Sequence, residues 1–265
     1  MPLPVFSSTD SQTNSQVCTA PWWGAWSAIL IVVCFYFTQS VGIVMVQMVA
    51  GLGAGFSQGD AGFPAIDQTW LLPLSLCVAT IGAAMVSLQV ATSRAKLSKH
   101  SVWLWEFIEQ SNDLRELWRF VLLGLGLGLG FFALTEYGVL PPDDLPQPIF
   151  DALLTAPLLL QIGWVLMIVL LFPVVEEILF RGFLFTGLAQ SWGQTLAGIV
   201  TTVLFVAVHM PKVLEYWPAL FAVTLIGTLT VFIRIRTGSL APGIALHSTY
   251  NGVLVASALL TQPAS

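Results

Sequence analysis

Long apolar runs constrain the fold of this chain more than any other feature of its sequence. About seven are present, and most approach the twenty residues that a helix needs to cross a lipid bilayer. Outer-membrane barrels instead use strands of roughly ten residues with alternating polarity. We therefore expect an all-α, polytopic transmembrane bundle. The predicted spans are 25–49, 70–91, 120–137, 153–188, 195–208, 218–233 and 240–260.

Composition agrees with a membrane protein and argues against a nucleic-acid-binding one. Of the 265 residues, 56% are hydrophobic and only 9% are charged, whereas a soluble domain carries about 25% charged residues. The net charge is −5, and no basic patch is dense enough to bind nucleic acid. The three cysteines, at positions 18, 34 and 77, show no metal or redox spacing.

The chain divides into three parts by composition. Residues 1–24 are polar and lack the basic and apolar regions of a signal peptide, so we expect a flexible tail and targeting by the first span. Residues 25–140 hold three spans and the basic loop 92–119. Residues 150–262 hold the remaining spans and nearly all of the polar groups that lie within them.

The basic loop predicts the orientation in the membrane. It carries five of the nine Lys and Arg residues, and cytoplasmic loops collect these residues. We expect a multi-pass protein of the cell inner, or plasma, membrane with a cytoplasmic N-terminus. The acidic loop around Asp60 and Asp67 is then outside. Trp103 and Phe107 predict an interfacial helix within the basic loop.

Glycine and proline residues predict how individual helices pack and bend. Gly124 with Gly128, and Gly126 with Gly130, have the spacing that lets membrane helices approach closely. Pro173 interrupts an apolar run that is too long for one straight crossing of about 30 Å. We therefore expect a kinked or divided helix at Pro173.

Three charged residues, Glu176, Glu177 and Arg181, lie in this same apolar run. A charge at mid-membrane costs about 2.5–3.5 kcal/mol on insertion scales, so three of them demand an explanation. Glu177 and Arg181 are four residues apart and share a helix face, which predicts an ion pair. Glu176 is turned about 100° away. It is the candidate general acid or base.

Two of the three histidines follow in later spans. His209 ends one apolar run, and His247 shares a helix face with Asn251 four residues on. A single intramembrane histidine is more often a packing residue. Two of them, with Asn251 and an unpaired Glu176, predict a shared site.

The predicted site fits two hydrolytic chemistries. In one, Glu176 and His209 polarise a water molecule, and His247 and Asn251 donate hydrogen bonds to an oxyanion. In the other, Glu176, His209 and His247 bind a catalytic zinc ion, although the usual His-Glu-x-x-His signature is absent. No Gly-x-Ser-x-Gly nucleophile motif is present either.

The order and spacing of these residues resemble the CPBP family of intramembrane proteases, which comprises the CAAX-protease and bacteriocin-processing (Abi) proteins. The resemblance covers roughly residues 150–262, the expected catalytic core. Three motifs carry it: Glu176-Glu177-x-x-x-Arg181, Phe205-x-x-x-His209 and His247-x-x-x-Asn251.

The resemblance implies an intramembrane endopeptidase with a site below the membrane surface. Family members of known activity cleave prenylated CAAX proteins near the C-terminus, so we expect a membrane protein or peptide substrate, prenylated ones included. The implied roles are activation of water for Glu176 and His209, oxyanion stabilisation for His247 and Asn251, and support for Glu177 and Arg181. No cofactor is expected to be required, because asparagine suits an oxyanion better than zinc; zinc is the alternative.

Two other functions stay open at this point. A non-catalytic immunity or scaffold protein of the same fold would retain the motifs for stability. A transporter would use intramembrane Glu and His residues to relay protons, but the two halves show no internal repeat. The sequence does not explain how the two histidines reach the same depth in the membrane. His209 falls near the outer end of its predicted span, and His247 falls near the inner end of its own.

Overall fold

A computed structural model describes five segments of the chain, and these segments are helical with no β-strand. They are residues 24–57, 68–97, 116–139, 153–213 and 216–261. Their long helices are α1 (Ala25–Ser57), α2 (Gln68–Leu97), α3 (Leu117–Glu136), α4 (Leu158–Trp192), α5 (Gln194–Val213), α6 (Trp217–Thr237) and α7 (Ala241–Leu260). The predicted tail, the acidic loop and the interfacial helix lie outside these segments.

The helices form a polytopic bundle, as predicted. Within the described segments, six helices are long and apolar enough to cross a membrane, and α5 contributes a shorter apolar stretch, Gln194–Met210. Large apolar side chains also cover the outside, such as Phe37 at 70% and Leu159 at 71% exposure. Such exposure would be costly in water and is ordinary for a surface in contact with lipid.

Helix α4 stays helical through Pro173 instead of being divided there. A π-helical segment, Met167–Leu171, precedes the short α-helical stretch Phe172–Glu177, and a second one, Ile178–Leu184, follows it. Proline has no N–H, and its ring crowds the carbonyl of the preceding turn. The wider π turn directly before Pro173 accommodates both effects without ending the helix.

The length of α4 resolves the difference in depth between the two histidines. Gly193 alone joins α4 to α5, with a φ of 79°, so the two helices form a tight hairpin. Gly182 of α4 lies beside Leu240, the residue before α7. The ten residues from 183 to 192 therefore extend α4 beyond the start of α7. At 1.5 Å per residue, this extension is roughly 15 Å long. His209 and His247 reach one level because their helices start at different depths.

Helix α3 packs along α7 through one of the two predicted glycine pairs. A Cβ on Gly124 would overlap the Leu246 carbonyl oxygen, and a Cβ on Gly128 would lie 2.7 Å from a side chain of α7. Gly126 and Gly130 face open space, with nothing within 4 Å. The packing prediction is confirmed for the first pair and wrong for the second. Residues two apart point to nearly opposite sides of a helix, so only one pair can face α7.

We expect Gly124→Ala to destabilise the bundle by about 1–3 kcal/mol, because the added methyl group forces α3 away from α7. Gly126→Ala is the matched control on the same helix, where the methyl group meets nothing within 4 Å. Gly126→Ala should be neutral or stabilise the protein by up to about 1 kcal/mol, since alanine favours a helix more than glycine does. Thermal unfolding in detergent, followed by circular dichroism, measures both variants. Equal unfolding temperatures for the two would contradict the close contact.

Candidate active site

Three helices bring Glu176, His209 and His247 together inside the bundle. His209 Nε2 lies 3.8 Å from Glu176 Oε1, and His247 Nε2 lies 3.9 Å from Glu176 Oε2. Each carboxylate oxygen of Glu176 therefore faces one imidazole ring. The Glu176 side chain keeps 21% of its surface exposed, so the protein does not seal it completely. The structure therefore brings together three of the residues that the motifs predict to share a site.

The second ring nitrogen of each histidine is held by a hydrogen bond. His209 Nδ1 lies 2.7 Å from the Phe205 carbonyl oxygen one turn earlier. Since a carbonyl only accepts, Nδ1 carries the proton and donates it. His247 Nδ1 lies 3.2 Å from Glu177 Oε1 and donates to that carboxylate in the same way. A neutral His209 ring held like this presents an unprotonated Nε2, an acceptor, to Glu176.

Glu177 and Arg181 form the ion pair that their spacing predicts. Arg181 Nη1 lies 3.2 Å from Glu177 Oε1, and the two side chains are 0% and 1% exposed. Arg181 Nη2 also donates to the Gly227 carbonyl of α6 at 2.9 Å, and its guanidinium lies 4.4 Å from the ring centre of Phe205. The same Glu177 oxygen accepts the hydrogen bond from His247. This pair therefore links α4 to α5, α6 and α7.

Asn251 binds the backbone of α4. Its Nδ2 donates to the Ile168 carbonyl oxygen at 3.0 Å. That carbonyl lies in the first π segment, where the Phe172 N–H reaches back to Met167 and the next residue, Pro173, has no N–H. Asn251 therefore supplies a donor that the helix backbone lacks, and one of its two amide hydrogens is engaged. Sequence reasoning missed this contact, because a local pattern does not show which turn of α4 faces α7.

Sequence reasoning also missed the contribution of α1. The Tyr36 ring lies 6.3 Å from the ring of Phe180, at a tilt of 56°. In the sequence, Tyr36 stands in an apolar span and resembles a packing or interfacial aromatic residue, so no local signal identifies it.

The residues of the site have the donor types of a zinc centre but are spaced too widely for one. Within the described segments, no three His, Cys, Asp or Glu side chains lie close enough together to hold a metal ion. Ligands of a tetrahedral zinc ion, about 2.0–2.1 Å from the metal, are roughly 3.3 Å from each other. The separations around Glu176 are 3.8 and 3.9 Å, so the three side chains would have to move inwards.

The part of the chain that carries the site also matches a known protein family. Residues 158–253 match the family model described as type II CAAX prenyl endopeptidase Rce1-like. The family resemblance is confirmed for this segment. The Rce1-like segment runs from the start of α4 into α7 and includes all the Glu, His and Asn residues of the site, whereas α1, α2 and α3 lie outside it. Searches of curated proteins and of solved structures gave no match.

Proposed function

We propose that this protein is an intramembrane endopeptidase that hydrolyses a peptide bond with water activated by Glu176 and His209. One observation carries the proposal: the Glu176 carboxylate lies between two imidazole Nε2 atoms, at 3.8 and 3.9 Å, inside a membrane bundle. These separations are too long for direct hydrogen bonds. A water oxygen about 2.8 Å from both the carboxylate and the His209 ring fits beside such a gap.

In the proposed mechanism, Glu176 acts first as a base and then as an acid. It takes one proton from the water while the water oxygen bonds to the carbonyl carbon of the substrate, and His209 Nε2 orients the attacking water. The carbonyl oxygen becomes an oxyanion. When the C–N bond breaks, Glu176 gives its proton to the leaving amine. The second water proton stays with the new carboxyl group or is lost to solvent.

His247 and Asn251 are proposed to stabilise the oxyanion. With a proton on Nε2 as well as on Nδ1, His247 donates towards the substrate while Glu177 holds its other nitrogen at 3.2 Å. Asn251 has a second amide hydrogen besides the one that it gives to Ile168. Glu177 and its ion-pair partner Arg181 keep His247 in place and are proposed as supporting residues.

We propose further that no metal cofactor is required. The spacing around Glu176 exceeds that of tetrahedral zinc ligands, and Asn251 suits an oxyanion better than a zinc ion. Zinc held by Glu176, His209 and His247 is the alternative. In that case the metal would polarise the water and the carbonyl group.

The proposed substrate is a membrane protein or peptide, with prenylated ones included because the matching family is described as prenyl endopeptidases. The proposed location is the plasma membrane with the N-terminus in the cytoplasm. Arg119 at the start of α3, and Arg234 with Arg236 at the end of α6, support this orientation. These three arginines lie at one end of the bundle. Helix α3 runs parallel to α7, so the two helices start at the same end. Only residues 238–240 separate the end of α6 from the start of α7. Basic residues collect on the cytoplasmic side.

The direct test is cleavage of a membrane-tethered reporter peptide by the purified protein in liposomes. Two versions of one peptide, with and without a prenyl group, separate protease activity from prenyl dependence. We expect cleavage that continues after treatment with a zinc chelator, in protein that carries no stoichiometric zinc by elemental analysis. Zinc and activity that disappear together would support the metal mechanism. If neither peptide is cleaved, the non-catalytic alternative is favoured.

A further inference from the structure

The Phe205 ring of α5 packs against three side chains of the candidate site. Its centre lies 4.6 Å from the centre of the His209 ring and 6.1 Å from that of the His247 ring, at angles of 46° and 78°. The Arg181 guanidinium lies 4.4 Å from the same ring centre. Phe205 itself is only 1% exposed. A displacement of this one ring would therefore reach both histidines and the buried ion pair.

Gly227 of α6 makes room for the Phe205 ring. A Cβ on Gly227 would lie 3.0 Å from Phe205 Cδ1, whereas two carbon atoms in favourable contact are about 3.5–4.0 Å apart. The Gly227 carbonyl oxygen also accepts the hydrogen bond from Arg181 Nη2 at 2.9 Å. Gly227 thus sets the approach of α6 to α4 through its carbonyl group, and to α5 through its missing side chain.

The Phe205 ring has little space in which to avoid an added methyl group. Phe180 meets it edge-on, at 5.2 Å between ring centres and an angle of 90°, and both rings belong to one buried core cluster. Protein interiors are packed as closely as organic crystals, so they transmit a local displacement to the surrounding side chains. A shift of a few tenths of an ångström in Phe205 would therefore move the histidine rings that it contacts.

We propose that Gly227 is a positioning residue for the catalytic centre. Its missing side chain gives the Phe205 ring a place from which it holds the two site histidines facing Glu176. The proposal rests on the proposed endopeptidase function, and it adds a residue that acts through Phe205 and not on the substrate. It also extends the site to α6, a helix that carries none of the three sequence motifs.

Gly227→Ala adds one methyl group at this contact. We expect kcat for reporter cleavage to fall about 10-fold with KM changed less than about twofold, because catalysis depends on the exact placement of the reacting groups. Gly198→Ala is the matched control. Its Cβ would lie 3.1 Å from Val231 Cγ1 between the same two helices, two turns before Phe205, so kcat should stay at the wild-type value. Wild-type kcat in Gly227→Ala, or an equal loss in Gly198→Ala, overturns the proposal.

The nuclear magnetic resonance signals of the histidine rings test the placement without relying on activity. The chain has three histidines, so the two site signals of isotope-labelled protein are assigned by their loss in His209→Asn and His247→Asn. Gly227→Ala should shift both signals, and Gly198→Ala should leave them in place. Unmoved signals in Gly227→Ala overturn the placement. If the wild type cleaves no peptide, the effect on kcat falls with the proposed function, and the histidine signals still decide whether Gly227 positions the rings.

A double substitution tests the contact even if Gly227→Ala does not fold by itself. Phe205→Leu replaces the ring with a smaller side chain, which leaves space for the added methyl group. The drop in unfolding temperature caused by Gly227→Ala should therefore be smaller in the Phe205→Leu background than in the wild type, as for residues in direct contact. An equal drop in both backgrounds, or a double variant that does not fold where Phe205→Leu does, overturns the contact.

Discussion

Glu176→Gln is expected to lower the turnover of reporter cleavage by about 10³-fold. The amide has nearly the same shape as the carboxylate but cannot take a proton from water, and a positioned general base contributes roughly 10²–10⁴-fold. The side chain is partly exposed and lies beyond hydrogen-bond distance from both histidines, so we expect the fold to survive. Steady-state cleavage in liposomes gives the rate, and thermal unfolding checks the fold.

Two further substitutions make this result specific. Glu136→Gln changes an exposed glutamate at the end of α3 and should leave cleavage unchanged. Glu177→Gln removes the charge that Arg181 and His247 share, so both stability and activity should fall. If Glu176→Gln is fully active and Glu177→Gln is inactive but correctly folded, then Glu177, and not Glu176, is the general base.

Arg181→Met is expected to cause the largest loss of stability, about 3–5 kcal/mol. Methionine fills much of the arginine volume, but it leaves the Glu177 carboxylate buried without its ion-pair partner. Breaking one side of a buried pair has a cost of this size because the remaining charge is uncompensated. Unfolding in mixed micelles at increasing denaturant concentration measures the change in the free energy of unfolding.

The chain offers a matched control in a second ion pair. Arg119 and Glu116 also pair within one helix turn, but their side chains are 62% and 45% exposed. Arg119→Met should cost less than about 1 kcal/mol, as surface pairs do. Combining Arg181→Met with Glu177→Gln removes both buried charges and should recover part of the stability. Equal losses in Arg181→Met and Arg119→Met would contradict the role given to the buried pair.

The features that could be predicted from the sequence are those set by spacing along one helix. Glu177 and Arg181 pair because residues four apart lie on one helix face. Glu176, one position away, is turned towards other helices for the same reason, and it meets His209 and His247 there. The apolar runs identify the helices because a bilayer accepts only segments whose backbone polar groups are satisfied internally.

The features that could not be predicted depend on which face of one helix meets another. The spacing of Gly124 and Gly128 equals that of Gly126 and Gly130, yet only the first pair contacts α7. Asn251 has the right residue type for an oxyanion donor, and its visible hydrogen bond goes to Ile168. That contact exists because a π segment and a proline leave one carbonyl of α4 without a backbone donor.

By itself, the sequence determined the all-α membrane class, the buried ion pair and the six polar residues of the site, since hydrophobicity and helical spacing are local properties. The tertiary structure alone decided their common depth. A 35-residue α4, extended past the start of α7 by its hairpin with α5, brings His209 and His247 to one glutamate. The structure also decided the packing of Tyr36 on Phe180, because a contact between residues so far apart in the chain (36 and 180) is set by the packing of α1 on α4 and not by any local pattern.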